Sequence, residues 1–194
     1  YTPTLIDAQG NGKNHNFFTA NELINVNNVD TREFKDDIAT ANAINNILNN
    51  GENNFIYVIK KGAHFPFSNQ GIEQKFKPIM QSAMLISEPL DNVLNSYKNL
   101  ITHNTDLFFN ELKTSFPNTV FIYTSDHGQN LTNLAEEITH CSVDNAHPKE
   151  GAVPLILIGD ITENKIPLFT EEVLNLNPSH YLIPYILMSF AGYS

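Results

Sequence analysis

Four short apolar runs, separated by stretches of helical periodicity, constrain this chain more than any other feature. They are residues 4–7, 55–59, 120–124 and 153–158. The second reads Phe-Ile-Tyr-Val-Ile and the third Val-Phe-Ile-Tyr-Thr. Near-continuous β-branched and aromatic composition of this kind belongs to strands covered on both faces. Pro154 stands near the start of the fourth run, where a missing N–H is tolerated. Between the runs, Phe34, Ile38, Ala41, Ile44 and Ile47-Leu48 share one helical face. Leu90, Val93-Leu94, Tyr97, Ile101, Leu107-Phe108 and Leu112 do the same over a longer stretch. Residues 180–190 are a third helical candidate, with Pro184 inside as a potential break. Strands alternating with helices predict an α/β fold: a mainly parallel sheet flanked by helices on both faces.

The length of 194 residues suits one well-cored domain, so residues 1–194 are expected to form a single one. There is no internal repeat and no long linker. Asparagine is scattered widely, notably at 25–28 and 44–54, and reads as compositional bias in polar turns. The hydrophobic fraction of 41% excludes wholesale disorder. A net charge of −10, from 21 acidic and 11 basic residues, repels a phosphate backbone and argues against nucleic acid as a partner. The same field opposes any anionic substrate unless a bound divalent cation reverses it locally. One cysteine, Cys141, excludes an intramolecular disulfide. No apolar run reaches the roughly 18–20 residues that cross a bilayer. Tyr1-Thr2-Pro3-Thr4 has neither the basic nor the apolar part of a leader. A chain opening this way is expected to be cut from a longer protein, with any membrane anchor in the preceding sequence.

In parallel α/β sheets, ligands gather beyond the carboxyl ends of strands. That rule points to residues 60–67 after the second run and 125–129 after the third. Asp126-His127-Gly128 sets a carboxylate beside an imidazole, with a glycine that permits a tight turn; together they can offer oxygen and nitrogen to one metal. Alone, the triplet is equally well a strand-end turn with a capping aspartate. His64, in Gly62-Ala63-His64-Phe65-Pro66-Phe67, also follows a buried run, and His140 closes a polar loop from Asn130 to Thr139. Three histidines and an aspartate on one sheet edge make a zinc ligand set.

The pattern resembles the phosphoethanolamine transferase/sulfatase-like branch of the alkaline phosphatase superfamily. Thr124-Ser125-Asp126-His127-Gly128-Gln129-Asn130-Leu131 is similar to that family's strand-end metal motif, and His140 follows His127 by 13 positions, where the family places its next metal histidine. Gly62-Ala63-His64-Phe65-Pro66-Phe67 resembles its Gly-x-His-x-Pro segment. Pro148-Lys149-Glu150 through Val153-Pro154-Leu155-Ile156 looks like its return to the sheet, and Asn95-Ser96-Tyr97-Lys98-Asn99 with Asp106 fits the helix between. The resemblance runs from about Thr31 onward and more loosely before it.

The resemblance implies the C-terminal portion of a three-layer catalytic domain holding one or two Zn2+ ions. Asp126 and His127 would serve one ion, with His64 and His140 on or toward a second. It also implies a threonine nucleophile in upstream sequence, since no segment of 1–194 matches the family's nucleophile motif; Thr2, Thr4 and Thr19 lack its context. The implied reaction passes phosphoethanolamine from a phospholipid donor to a glycolipid acceptor at the periplasmic face of a bacterial inner membrane. A sulfatase or phosphodiesterase on the same metal frame is one rival, and a non-catalytic binding module is another.

Each residue also has an ordinary reading. His64 would pack beside Phe65 and Phe67, and His140 would be a loop histidine. Lys60 and Lys61 would neutralise a substrate phosphate or sulfate, or simply end a strand in solvent. His147 either approaches the substrate or lies on a surface loop. His15, His103 and His180 are expected to be unremarkable, and Cys141 a buried or idle thiol. Asp7 and Gln9 end the first run, on what is expected to be the same edge. A half domain with an exposed sheet edge is expected to pair with another copy.

Overall fold

A computed structural model describes residues 1–9, 18–32, 34, 36–67, 71–82, 84–132, 139–159 and 179–193. His15 and positions 133–138 of the polar loop lie outside the described residues. The fold is α/β, and the chain divides into two compact units.

The first unit comprises Tyr1–Lys113 and Ser125–Val153. Its strands are β1 (Thr2–Asp7), β2 (Asn27–Asp30) and β3 (Asn54–Ile59), in the order β2-β1-β3. Both pairings are parallel. Asp7 aligns with Asp30 on one side and Ile59 on the other, so all three strands end level. That register puts Asp7, Gln9 and Lys60-Lys61 on one edge, as the end of the first run predicts. The central strand is the most deeply buried, with Leu5 and Ile6 2% and 0% exposed.

Helix α1 (Ile38–Leu48) turns Ala41 and Ile44 inward and packs on β1 and β3. Helix α2 (Leu90–Glu111) packs against α1. Asn45 joins the two: its Nδ2 donates to Glu111 O at 2.9 Å, and its Oδ1 accepts from Lys113 N at 2.9 Å. A 3-10 turn, Leu85–Ser87, precedes α2, and a one-turn helix α3 (Pro148–Gly151) closes the unit.

The second unit comprises Thr114–Thr124 and Pro154–Ser194. Strands β4 (Val120–Thr124) and β5 (Leu155–Gly159) pair antiparallel, with Val120 opposite Gly159. A 3-10 turn, His180–Leu182, leads into α4 (Ile183–Phe190). Pro184 falls in the first turn of α4, where no intrahelical N–H is required, so it starts the helix and does not break it.

The structure departs from the sequence expectation at three points. The pairing of β4 with β5 is antiparallel, because direction depends on how the intervening chain returns and leaves no trace in strand composition. β3 is not covered on both faces: Phe55 and Tyr57 are 42% and 50% exposed. β2 corresponds to none of the four apolar runs. This largely exposed strand of four residues carries no apolar signal and exists because its backbone pairs with the rim of β1.

Candidate metal centre

The chain around the candidate ligands is irregular, so packing must position it. Phe67, Val93 and Leu131 form a buried cluster, with Phe65, Met80, Leu94 and Tyr97 against it. Phe67 lies three residues past His64, Leu131 three past Gly128, and Val93 on α2. One apolar cluster therefore draws together two loops separated by over sixty positions in sequence. Burying each such side chain contributes about 1.5–3 kcal/mol. The rings of Phe67 and Tyr97 meet at 4.8 Å and those of Phe65 and Phe67 at 5.5 Å.

Polar contacts then set the loops. Asp37, fully buried, accepts from Lys61 N at 2.7 Å and Gly62 N at 3.2 Å, and Lys60 Nζ lies 3.4 Å from its carboxylate. Asn104 on α2 donates to the Gly62 carbonyl. At the second loop, Gly128 N donates to Glu150 O at 2.7 Å and Asn130 N to Thr139 O at 2.7 Å. A Cβ on residue 128 would run into the carbonyl oxygens of Lys149 and Ala152. Glycine is thus required by a close backbone approach; the tight-turn argument does not apply, because its φ is not left-handed.

Asp126, His127 and His140 lie together in the first unit, and His64 is near enough for its charge to act on His140. The rings of His127 and His140 stack at 4.1 Å with 2° between their planes. The Asp126 carboxylate lies 3.7 Å from His127 Nε2. Burial pushes the basicity of His140 down, and the charges of His127 and His64 push it further, against the pull of Asp126 and Glu150. A neutral His140 retains a ring lone pair for ligation.

His64 and His127 share one tautomer. His64 Nδ1 donates to Phe65 O at 2.6 Å, and His127 Nδ1 donates to Gly128 O at 2.8 Å. His140 Nδ1 pairs with Thr139 Oγ1 at 3.2 Å. Where Nδ1 donates to a carbonyl, as in His64 and His127, Nε2 is left as the lone-pair nitrogen, which is how ligating histidines are oriented. In donor type the residues fit a zinc centre. In this pose, however, no three His, Cys, Asp or Glu side chains among the described residues surround a point that would hold an ion. A ring lone pair lies in its own ring plane, so parallel rings cannot both aim at one ion. The stacked pair is compatible with separate ions, or with one ring turning on binding.

The remaining candidates are engaged elsewhere. Lys60 is mostly buried, lies 4.0 Å from the Phe108 ring centre and pairs with Asp37. Its basicity is lowered by burial, which outweighs the raising effect of Asp37. Lys61 Nζ donates to Phe34 O at 2.8 Å. His147 caps α3, its Nδ1 accepting from Lys149 N at 3.2 Å. Its proton therefore sits on Nε2, the opposite tautomer to His64 and His127. Cys141 is exposed, not buried, with a left-handed backbone at φ 59°. His103 lines a shallow cavity on α2, and His180 Nε2 pairs with Thr124 Oγ1 at 3.1 Å within the second unit.

Two residues near the site escaped the sequence reading. Tyr97 was assigned to the core by its helical spacing, yet burial and then the nearby Asp126 charge raise the pKa of its hydroxyl. Glu150 is buried although charged, and nothing in its local sequence announces that.

Comparison with known proteins gives the Sulfatase family as a match over residues 3–193. No curated protein and no solved structure matches the chain. Superfamily members typically use divalent metals in hydrolysis or group transfer, which agrees with the donor types gathered around Asp126. The match spans nearly the whole sequence, and the chain belongs to the Sulfatase family, within the alkaline phosphatase superfamily.

Proposed function

We propose that this chain supplies the metal-ligand side of a phosphoryl-group transferase that moves phosphoethanolamine from a phospholipid to a glycolipid. The observation that carries the reading is the proximity of Asp126, His127 and His140, with His64 close enough to act on His140 and Nδ1 of His64 and His127 each donating to a carbonyl. In the proposed arrangement Asp126 and His127 hold one ion, and His64 and His140 hold or approach a second. Bound Zn2+ would supply Lewis-acid charge for displacement at phosphorus. The carbonyls of Phe65 and Gly128 fix the rings of His64 and His127, so each Nε2 is directed before any ligand arrives. The proposal places the nucleophile, a threonine, outside residues 1–194, and the reaction at the periplasmic face of an inner membrane. No helix among the described residues is long and apolar enough to cross a bilayer.

Membership of the Sulfatase family favours a second reading, hydrolysis of a sulfate or phosphate diester on the same frame. Full-length protein separates the two. Transfer requires product on the glycolipid acceptor, whereas hydrolysis releases the headgroup or sulfate to water without it.

Metal analysis after zinc supplementation tests the shared premise. Asp126→Ala or His127→Ala is expected to lower bound zinc by about tenfold or more at limiting metal, and His103→Ala to change nothing. Equal zinc in all four proteins would sink the ligand assignment.

A further inference from the structure

We infer that Glu150 is the positioning residue that holds the Asp126–Gly128 turn and the His140 loop in one frame, an inference resting on the metal-centre reading above. Its carboxylate Oε2 accepts from Ser142 N at 3.0 Å. Its Oε1 accepts from Ser142 Oγ at 3.0 Å and from His147 N at 3.2 Å. Three donors thus converge on a side chain only 7% exposed. The backbone carbonyl of the same residue accepts from Gly128 N at 2.7 Å. One residue therefore holds position 142 with its side chain and position 128 with its main chain. Position 142 is two past His140, and position 128 is one past His127.

The connection reaches the rings. Asn130 N also donates directly to Thr139 O at 2.7 Å, and the rings of His127 and His140 stack between the same two segments. Without the carboxylate, Ser142 N and Oγ and His147 N lose a common acceptor, and the His140 loop loses its side-chain fastening to α3. Both carboxylate oxygens are already taken by donors, which makes Glu150 a poor ligand and a good anchor. A buried carboxylate satisfied three ways is costly to replace, because each donor is left in a partly dry site. The capping box formed with His147 holds α3 in place beneath it.

The test uses the whole chain, with Co2+ as the probe and Glu150→Ala, Glu150→Gln and Ser142→Ala as variants. Histidine ring-proton NMR shifts are recorded without metal, followed by Co2+ titration monitored by visible absorption. Glu150→Ala is expected to remove the ring-current shifts of His127 and His140 while His103 stays put. Its Co2+ affinity falls by roughly ten- to a hundredfold. Glu150→Gln, keeping one acceptor oxygen, falls between Glu150→Ala and wild type, and Ser142→Ala, losing one donor, weakens Co2+ least. If Glu150→Ala fails to fold, the Gln and Ser142 variants carry the same ordering. Persistence of the stacked-ring shifts and the wild-type Co2+ spectrum in Glu150→Ala and Glu150→Gln overturns the positioning role and leaves the metal centre standing. Failure of wild type to take up Co2+ overturns the metal reading, and the inference with it.

Discussion

Asp37 shows how one buried residue can hold the loop toward His64 together. Its carboxylate satisfies two backbone N–H groups of the loop toward His64 and pairs with a lysine that is itself mostly buried. Removing one partner of such a pair strands the other charge, at a cost of about 3–5 kcal/mol. Asp37→Ala is therefore expected to lower stability by about that amount in urea denaturation. Adding Lys60→Met is expected to recover part of the loss, since the stranded ammonium disappears; additive losses in the double mutant would refute the coupling. Local sequence does not reveal this arrangement. Lys60 and Lys61 looked like strand-end cations available to an anion, and only the fold shows their ammonium groups at Asp37 and Phe34 O. The histidines divide the same way. His64, His127 and His147 all precede or enter turns, but hydrogen bonding puts Nδ1 to donor use in the first two and acceptor use in the third.

At the scale of elements, α2 does more than cover the sheet. Its apolar stripe was legible at helical spacing, and the observed helix spans nearly the whole predicted stretch. Its buried polar residues were not legible. Ser96 Oγ accepts from Met80 N at 2.9 Å, and Asn99 exchanges two 2.9 Å bonds with the backbone of Phe76. Asn104 reaches Gly62. These side chains stitch the irregular chain on both sides of His64 onto α2. Asn99→Ala leaves the N–H and C=O of Phe76 without partners, costing about 2–4 kcal/mol. Amide hydrogen exchange is expected to accelerate at Phe76 and its neighbours more than in α1; uniform acceleration across both would show a global effect instead.

For the whole molecule, the net charge of −10 sets the long-range field. It draws cations toward the site and repels anionic esters, and both effects weaken as salt shortens the Debye length. Zinc affinity measured by calorimetry is expected to fall between about 0.02 and 0.2 M salt, while association of an anionic ester strengthens over the same range. A zinc affinity independent of salt would show that local ligands dominate the field. The candidate ligands all lie in the first unit, as does the cluster of Phe67, Val93 and Leu131 that packs beside their loops.

The sequence by itself determined the strands β1, β3, β4 and β5, the main helices and the parallel α/β character of the first unit, and it singled out residues whose donor chemistry suits a metal. Those follow from side-chain periodicity and donor chemistry, which are local properties. Tertiary structure alone decided the antiparallel course of β4 and β5, the recruitment of β2, the tautomers of His64, His127 and His147 and the anchoring roles of Asp37 and Glu150. Each of these depends on which distant backbone group lies within about 3 Å, and no periodicity encodes that. Asp126-His127-Gly128 is legible as a motif; what holds its glycine against α3 and its histidine against His140 is legible only in the fold.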